Sequence, residues 1–122
     1  MPPQVNIAEF QGLNPVIHER SRLALMTYLI SAGETSFSDL KRDLFLTDGN
    51  LNLHMRVLEK HGLVKVQKAF VERRPRTTYL VTEKGIRAFE EHVSVLERIL
   101  KSGRRGGARR KSSSSTSPRL ER

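Results

Sequence analysis

Apolar side chains recur along this chain in stripes whose spacing changes several times, and each change marks an element. Residues 1–13 carry Val5, Ile7, Phe10 and Leu13, too apolar for a purely solvated arm. Asn14-Pro15 reads as the N-cap and first position of a helix, because proline lacks only an N–H that would be orphaned there. That helix runs to about Ser31 with Leu23, Met26, Leu29 and Ile30 on one face, and Gly33 stops it. Glu34–Ser36 reads as a short extended segment, after which Ser36 and Asp39 open a second helix as a capping box. Phe37, Leu40 and Leu44 face inward from it. Thr47 caps a third helix, in which Leu51, Met55 and Leu58 recur at i, i+4 and i+7, and Gly62 supplies the left-handed residue after its end.

The period then drops to two. Leu63–Lys68 alternates as a half-buried strand, Thr78–Val81 is its partner, and the basic segment Val71–Thr77 between them reads as a hairpin loop. Thr82 caps a last helix, along which Ile86, Phe89, Val93, Leu96 and Leu100 step by 3, 4, 3 and 4, the seam of a coiled coil. From Ser102 the chain turns to Gly, Ser, Arg and Lys with no aromatic residue, and residues 102–122 are expected to form a disordered basic tail. The fold class is therefore mainly α with a small antiparallel β wing (α+β). Residues 14–101 form the domain, the 83–101 helix is available for dimerisation, and residues 1–13 form an arm that can pack at the same interface.

Two short helices, a tight turn and then a basic hairpin is the order of a winged helix-turn-helix, which sets one helix in the DNA major groove and a ribbon beside it. Five segments sharpen this: Phe37–Leu40, Leu51–His54, Leu58–Val64, Arg74–Tyr79 and Leu80–Gly85. With them the chain resembles the small MarR/ArsR-like winged-helix transcriptional regulators of prokaryotes over roughly residues 13–100. The resemblance implies dimerisation through terminal helices.

With Leu51, Met55 and Leu58 turned inward, the third helix presents Gly49, Asn50, Asn52, Leu53, Arg56 and Val57 outward. Asn pairs bidentately with adenine, Arg with guanine, and Leu53 can meet a thymine methyl. Arg73, Arg74 and Arg76 form the second candidate surface, since guanidiniums crowded on a hairpin gain from a polyanion by releasing its counterions. Lys65 and Lys68 on the strand, and Ser38, Lys41 and Arg42 on the second helix, are further candidates for backbone phosphates. An ordinary solvated helix face explains the last three equally well. Ile86, Phe89, Val93, Leu96 and Leu100 are the candidate dimer contacts.

Charge refines the picture. The net charge is +9, but residues 1–100 hold 14 Lys/Arg against 12 Asp/Glu, while residues 101–122 hold eight against one. Local placement, not the overall charge, must carry a nucleic-acid argument. There is no cysteine, so disulfides and thiolate metal sites are excluded. The four histidines, His18, His54, His61 and His92, show no ligand-pair spacing, and no nucleophile–base pair or phosphate loop appears. No catalytic residue, metal or cofactor is expected. No apolar run spans a bilayer and the start lacks signal-peptide features, which points to the cytoplasm. The expected function is a homodimeric, sequence-specific transcriptional regulator, a repressor, on a pseudo-palindromic operator in double-stranded DNA. Its rivals are an architectural DNA-coating protein and a winged-helix module that binds protein.

Overall fold

A computed structural model describes residues 5–106, with side chains as far as Gly103. After a short 3-10 helix at Ile7–Gly12, the order is α1 (Arg20–Ala32), β1 (Thr35–Ser36), α2 (Phe37–Leu44), α3 (Asp48–Lys60), β2 (Val64–Val71), β3 (Arg74–Val81) and α4 (Glu83–Gly106). The strands form an antiparallel sheet in the order β1-β3-β2. Asn14–His92 make one compact unit, and the described residues of the arm with those from Val93 onward make another.

Local signals set most boundaries. Ser36 Oγ accepts from Asp39 N–H at 3.1 Å, Thr47 Oγ1 from Asn50 N–H at 3.1 Å, and Thr82 Oγ1 from Gly85 N–H at 2.9 Å. Each satisfies a donor that the helix start leaves orphaned. Gly62 follows α3 at φ 75°, a conformation that glycine adopts without steric cost. Gly85 answers a different demand: a methyl group there would lie 2.2 Å from the Leu63 carbonyl oxygen.

The core of the 14–92 unit joins Leu25, Met26 and Leu29 of α1 to Leu40 of α2, Leu51, Met55 and Leu58 of α3, and Leu63, Val64 and Tyr79 of the sheet. Removing each large apolar side chain from water contributes roughly 1.5–3 kcal/mol, which is what holds these short helices in place. Leu25 and Ile17 are fully buried as well, beyond the stripe expected for the first helix.

The first helix begins later than Asn14-Pro15 suggests. Asn14 caps an isolated turn, accepting from Val16 N–H at 2.9 Å and Ile17 N–H at 3.3 Å. The cap of α1 is Glu19, whose carboxylate accepts from Arg22 N–H at 2.8 Å. Burial pushes the Glu19 carboxyl up, but the backbone N–H groups of Arg22 and Ser21 and the Arg22 guanidinium outweigh it and leave its pKa lowered.

His92 is fully buried. Its Nδ1 accepts from Asn14 N–H at 3.1 Å, and its Nε2 lies 3.3 Å from His18 Nδ1. A backbone N–H can only donate, so the His92 proton sits on Nε2 and the ring is neutral. Burial, and then the nearby His18, hold its pKa below the ordinary imidazole value. A lowered pKa means that the unfolded chain binds the proton more tightly. Stability from this site is complete above about pH 6.5 and falls as pH drops toward the folded-state value. Thermal unfolding from pH 7.5 to 5 should therefore show an acid-side loss that is smaller in His92→Asn, a variant with nothing to titrate there.

The other unit has its own contacts. Val95, 1% exposed, lies against Gly12, where an added methyl would come within 3.3 Å of it, and Ser102 Oγ donates to Glu9 Oε2 at 3.0 Å. The helix expected to end at 101 continues to Gly106, so the first residues assigned to a disordered tail are helical. The remainder of that tail lies outside the described residues. No helix of the described residues is long and apolar enough to cross a membrane.

Candidate nucleic-acid interface

The turn between α2 and α3 closes on Phe45, which holds φ 55° and ψ 44° with its side chain 93% exposed. From there α3 is aimed by its buried stripe. Leu51, Met55 and Leu58 are at most 2% exposed, so Gly49, Asn50, Asn52, Leu53 and Arg56 all lie on the solvent side, as expected. Val57 is half-buried. A second set of contacts ties α3 to α1. Arg22 Nε donates to the Val16 carbonyl at 2.6 Å, and its Nη1 donates to His54 Nδ1 at 3.1 Å. His54 thus leaves the outward row and fixes the rotation of the helix.

The hairpin differs from the expected seven-residue loop. Pairing runs continuously from Val64↔Val81 to Val71↔Arg74, and only Glu72 and Arg73 make the turn. Both have positive φ, 53° and 68°, the geometry of a type I′ turn that asparagine and glycine ordinarily supply. Ribbon pairing in the right register holds two ordinary residues there. Arg73 is thus at the tip, while Arg74 and Arg76 are strand residues.

The register sorts the cations by face. Residues two apart share a face, and directly paired residues share one too. Lys65, Arg74 and Arg76 lie on one side of the ribbon. Lys68, Phe70, Pro75 and Thr77 lie on the other, which continues into buried Tyr79 and Val64. Lys65 and Lys68 therefore do not extend one patch. Lys68 and Thr77 instead form one wall of a groove of about 720 Å³ whose facing wall is Asn52, Arg56 and Glu59 of α3. A second groove, about 490 Å³, runs between Ser38 and Asp39 at the start of α2 and Arg74 and Arg76 of β3.

The cations also divide by partner. Lys41 Nζ sits 2.7 Å from Asp48, and Arg42 bonds Asp39 at 2.9 Å and Asp43 at 2.8 Å. Arg42 holds the Asp43 carboxyl below its usual range, with help from the Tyr28 hydroxyl that donates to it. Among the described residues, Arg56, Lys65, Lys68, Arg73, Arg74 and Arg76 have no carboxylate within 4.0 Å. Cations without intramolecular partners are the ones a phosphate backbone can take without first breaking an ion pair.

The seam positions of α4 fare unequally. Phe89 packs on the core of the 14–92 unit, Ile86, Val93 and Leu96 are half-buried, and Leu100 is 55% exposed. Phe45 and Phe70 are exposed without any local signal of it in the chain, because exposure of an aromatic residue depends on the turn and register around it. Among the described residues no cluster of three or more His, Asp or Glu side chains could hold a metal ion.

This arrangement recurs in known proteins. Residues 21–100 match the family described as winged helix DNA-binding domain. An uncharacterized protein of Methanocaldococcus jannaschii is 32% identical over 81 residues, covering 66% of this chain and 88% of its own. A transcriptional regulator homologue from Pyrococcus horikoshii OT3 superposes with a TM-score of 0.72 at 32% identity, covering 77% of this chain and 95% of that one. A structure from Enterococcus faecalis V583, described as a transcriptional regulator of the MarR family, gives 0.63 at 27% identity, covering 87% and 94%. The chain belongs to the winged-helix DNA-binding family of MarR-like transcriptional regulators, and it is a regulator that binds DNA rather than an enzyme.

Proposed function

We propose that the chain acts in the cytoplasm as a homodimeric repressor on a pseudo-palindromic operator, with α3 in the major groove and the ribbon on the neighbouring backbone or minor groove. One observation carries this: Asn52 and Arg56 of the outward row of α3 line the same groove as Lys68, a ribbon cation without a carboxylate partner, and Thr77. A nucleic-acid strand held there is met by base-reading groups on one side and a phosphate-binding cation on the other.

The dimer reading is supported by apolar side chains that the second unit leaves in water. Leu100 is 55% exposed, and Val5 and Ile7 of the arm are 67% and 76% exposed. A second copy that covers them makes a two-fold assembly, the symmetry that a pseudo-palindromic operator mirrors. Repression follows from occupancy, since a bound dimer excludes other proteins from the same duplex. The concentration of charge in residues 101–122 favours the architectural reading as the rival, because such a segment binds any sequence.

Selection of bound duplexes from random DNA tests the two. Inverted repeats with half-site centres about 10 bp apart are expected, and enrichment without any consensus overturns the operator model. On the selected site, Arg56→Ala should relax preference at one position and cost roughly 1–3 kcal/mol. An equal loss on random DNA would make Arg56 a phosphate contact instead.

A further inference from the structure

The end of the ribbon is unusual for a purely electrostatic wing. Phe70 is 76% exposed and Val71 47% exposed, although both stand in a paired strand. Phe70 faces Pro75 directly across the ladder, and Lys68 and Thr77 are the next pair on that face. The two-residue turn at Glu72 and Arg73 places this apolar pair immediately behind the tip. Most of the aromatic ring is open to solvent, and with Val71 and Pro75 beside it the ribbon end offers an apolar surface to a partner.

Charge selects the partner. Phe70 shares its face with Lys68 and stands beside Arg73 at the tip, with Arg74 and Arg76 on the reverse face. An apolar ring on a ribbon with four nearby cations and one carboxylate, Glu72, fits a polyanion with an accessible apolar interior, and the spaces between stacked bases of a duplex are one. The face that carries Phe70 is also the face turned toward α3 across the groove lined by Asn52, Arg56 and Lys68.

The geometry points to the Phe70–Pro75 pair as an apolar wedge that enters the minor groove, partly unstacks a base step and kinks the duplex toward the major groove. This rests on the DNA-binding reading and adds to it a bending activity and a second source of sequence preference. The wedge favours pyrimidine–purine steps, which unstack most readily, at a position that no hydrogen bond reads. Pro75 contributes rigidity, since its fixed φ leaves the position paired with Phe70 little freedom to lose on binding.

The test uses the full chain and a selected duplex labelled at both ends, with the bend read by energy transfer and affinity by titration at several salt concentrations. Wild type should shorten the end-to-end distance. Phe70→Ser should abolish the shortening and weaken binding about tenfold, with an unchanged salt slope because no charge is lost. Phe70→Leu, which keeps an apolar wedge, should restore most of both. Phe70 is exposed, so all three proteins should have the same circular dichroism. A Phe70→Ser protein that bends and binds DNA like wild type overturns the wedge and leaves the DNA-binding reading standing. A wild type that binds no duplex overturns both. If Phe70→Ser instead abolishes self-association in sedimentation while bending persists, the ring docks on a second copy and the wedge is wrong.

Discussion

Simultaneous replacement of Arg73, Arg74 and Arg76 by alanine should weaken binding to every duplex, operator and random alike, by about two to three decades near 0.1 M salt. The size follows from counterion release. Each phosphate contact contributes about 0.9 to the slope of log K against log salt, so three lost contacts flatten it by about 2.7. The fold should survive, because all three side chains are exposed and none is paired to a carboxylate among the described residues. The measurement is the salt dependence of affinity for one selected and one scrambled duplex. A slope unchanged within about half a unit would remove the ribbon from the interface. A smaller loss, confined to one slope unit, would identify one arginine as the contact, with Arg73 at the tip as the first to examine singly. The matching change on α2, Lys41→Ala with Arg42→Ala, should have little effect on the slope, since those cations are already held by Asp48, Asp39 and Asp43.

Leu96→Asp should convert the protein to a monomer and take most of the operator affinity with it. A carboxylate cannot enter an apolar interface unpaired, so the interface opens. Leu100→Asp makes the same test with less risk to the fold, because Leu100 is 55% exposed within one chain. The loss of affinity comes from valency rather than from any broken contact with DNA. A dimer makes its second half-site engagement intramolecular, at an effective concentration in the millimolar range for short linkages, and a monomer forgoes that factor of 10²–10⁴. Sedimentation of the two variants beside wild type, followed by titration on full and half operators, reads both steps. If wild type sediments as a monomer, or if both variants remain dimeric with full affinity, the symmetric-operator model fails. Half-operator affinity should be unaltered in either variant, since the reading surface of α3 lies in the 14–92 unit.

What sequence alone determined is what neighbours in the chain decide. Ser36, Thr47, Thr82 and Gly62 cap or close their helices through atoms within a few residues, so the chemistry of each is legible in place. Leu51, Met55 and Leu58 are buried because a helix period puts them on one side, and Asn52 and Arg56 face outward for the same reason. Tertiary structure decided the rest. Asn14 carries every mark of a helix cap, yet its backbone N–H bonds a histidine on α4 and Glu19 takes the cap. Seam spacing treats Phe89 and Leu100 alike, but Phe89 reaches the core and Leu100 does not. Lys41 and Lys68 are equally basic as letters, and only the fold brings a carboxylate to the first and leaves the second facing the reading helix. Ribbon length, and with it the place of Phe70, depends on cross-strand pairing strong enough to hold Glu72 and Arg73 at positive φ against their own preference. That pairing is a sum over two strands distant from any local signal, which is why the turn could not be located from its own residues.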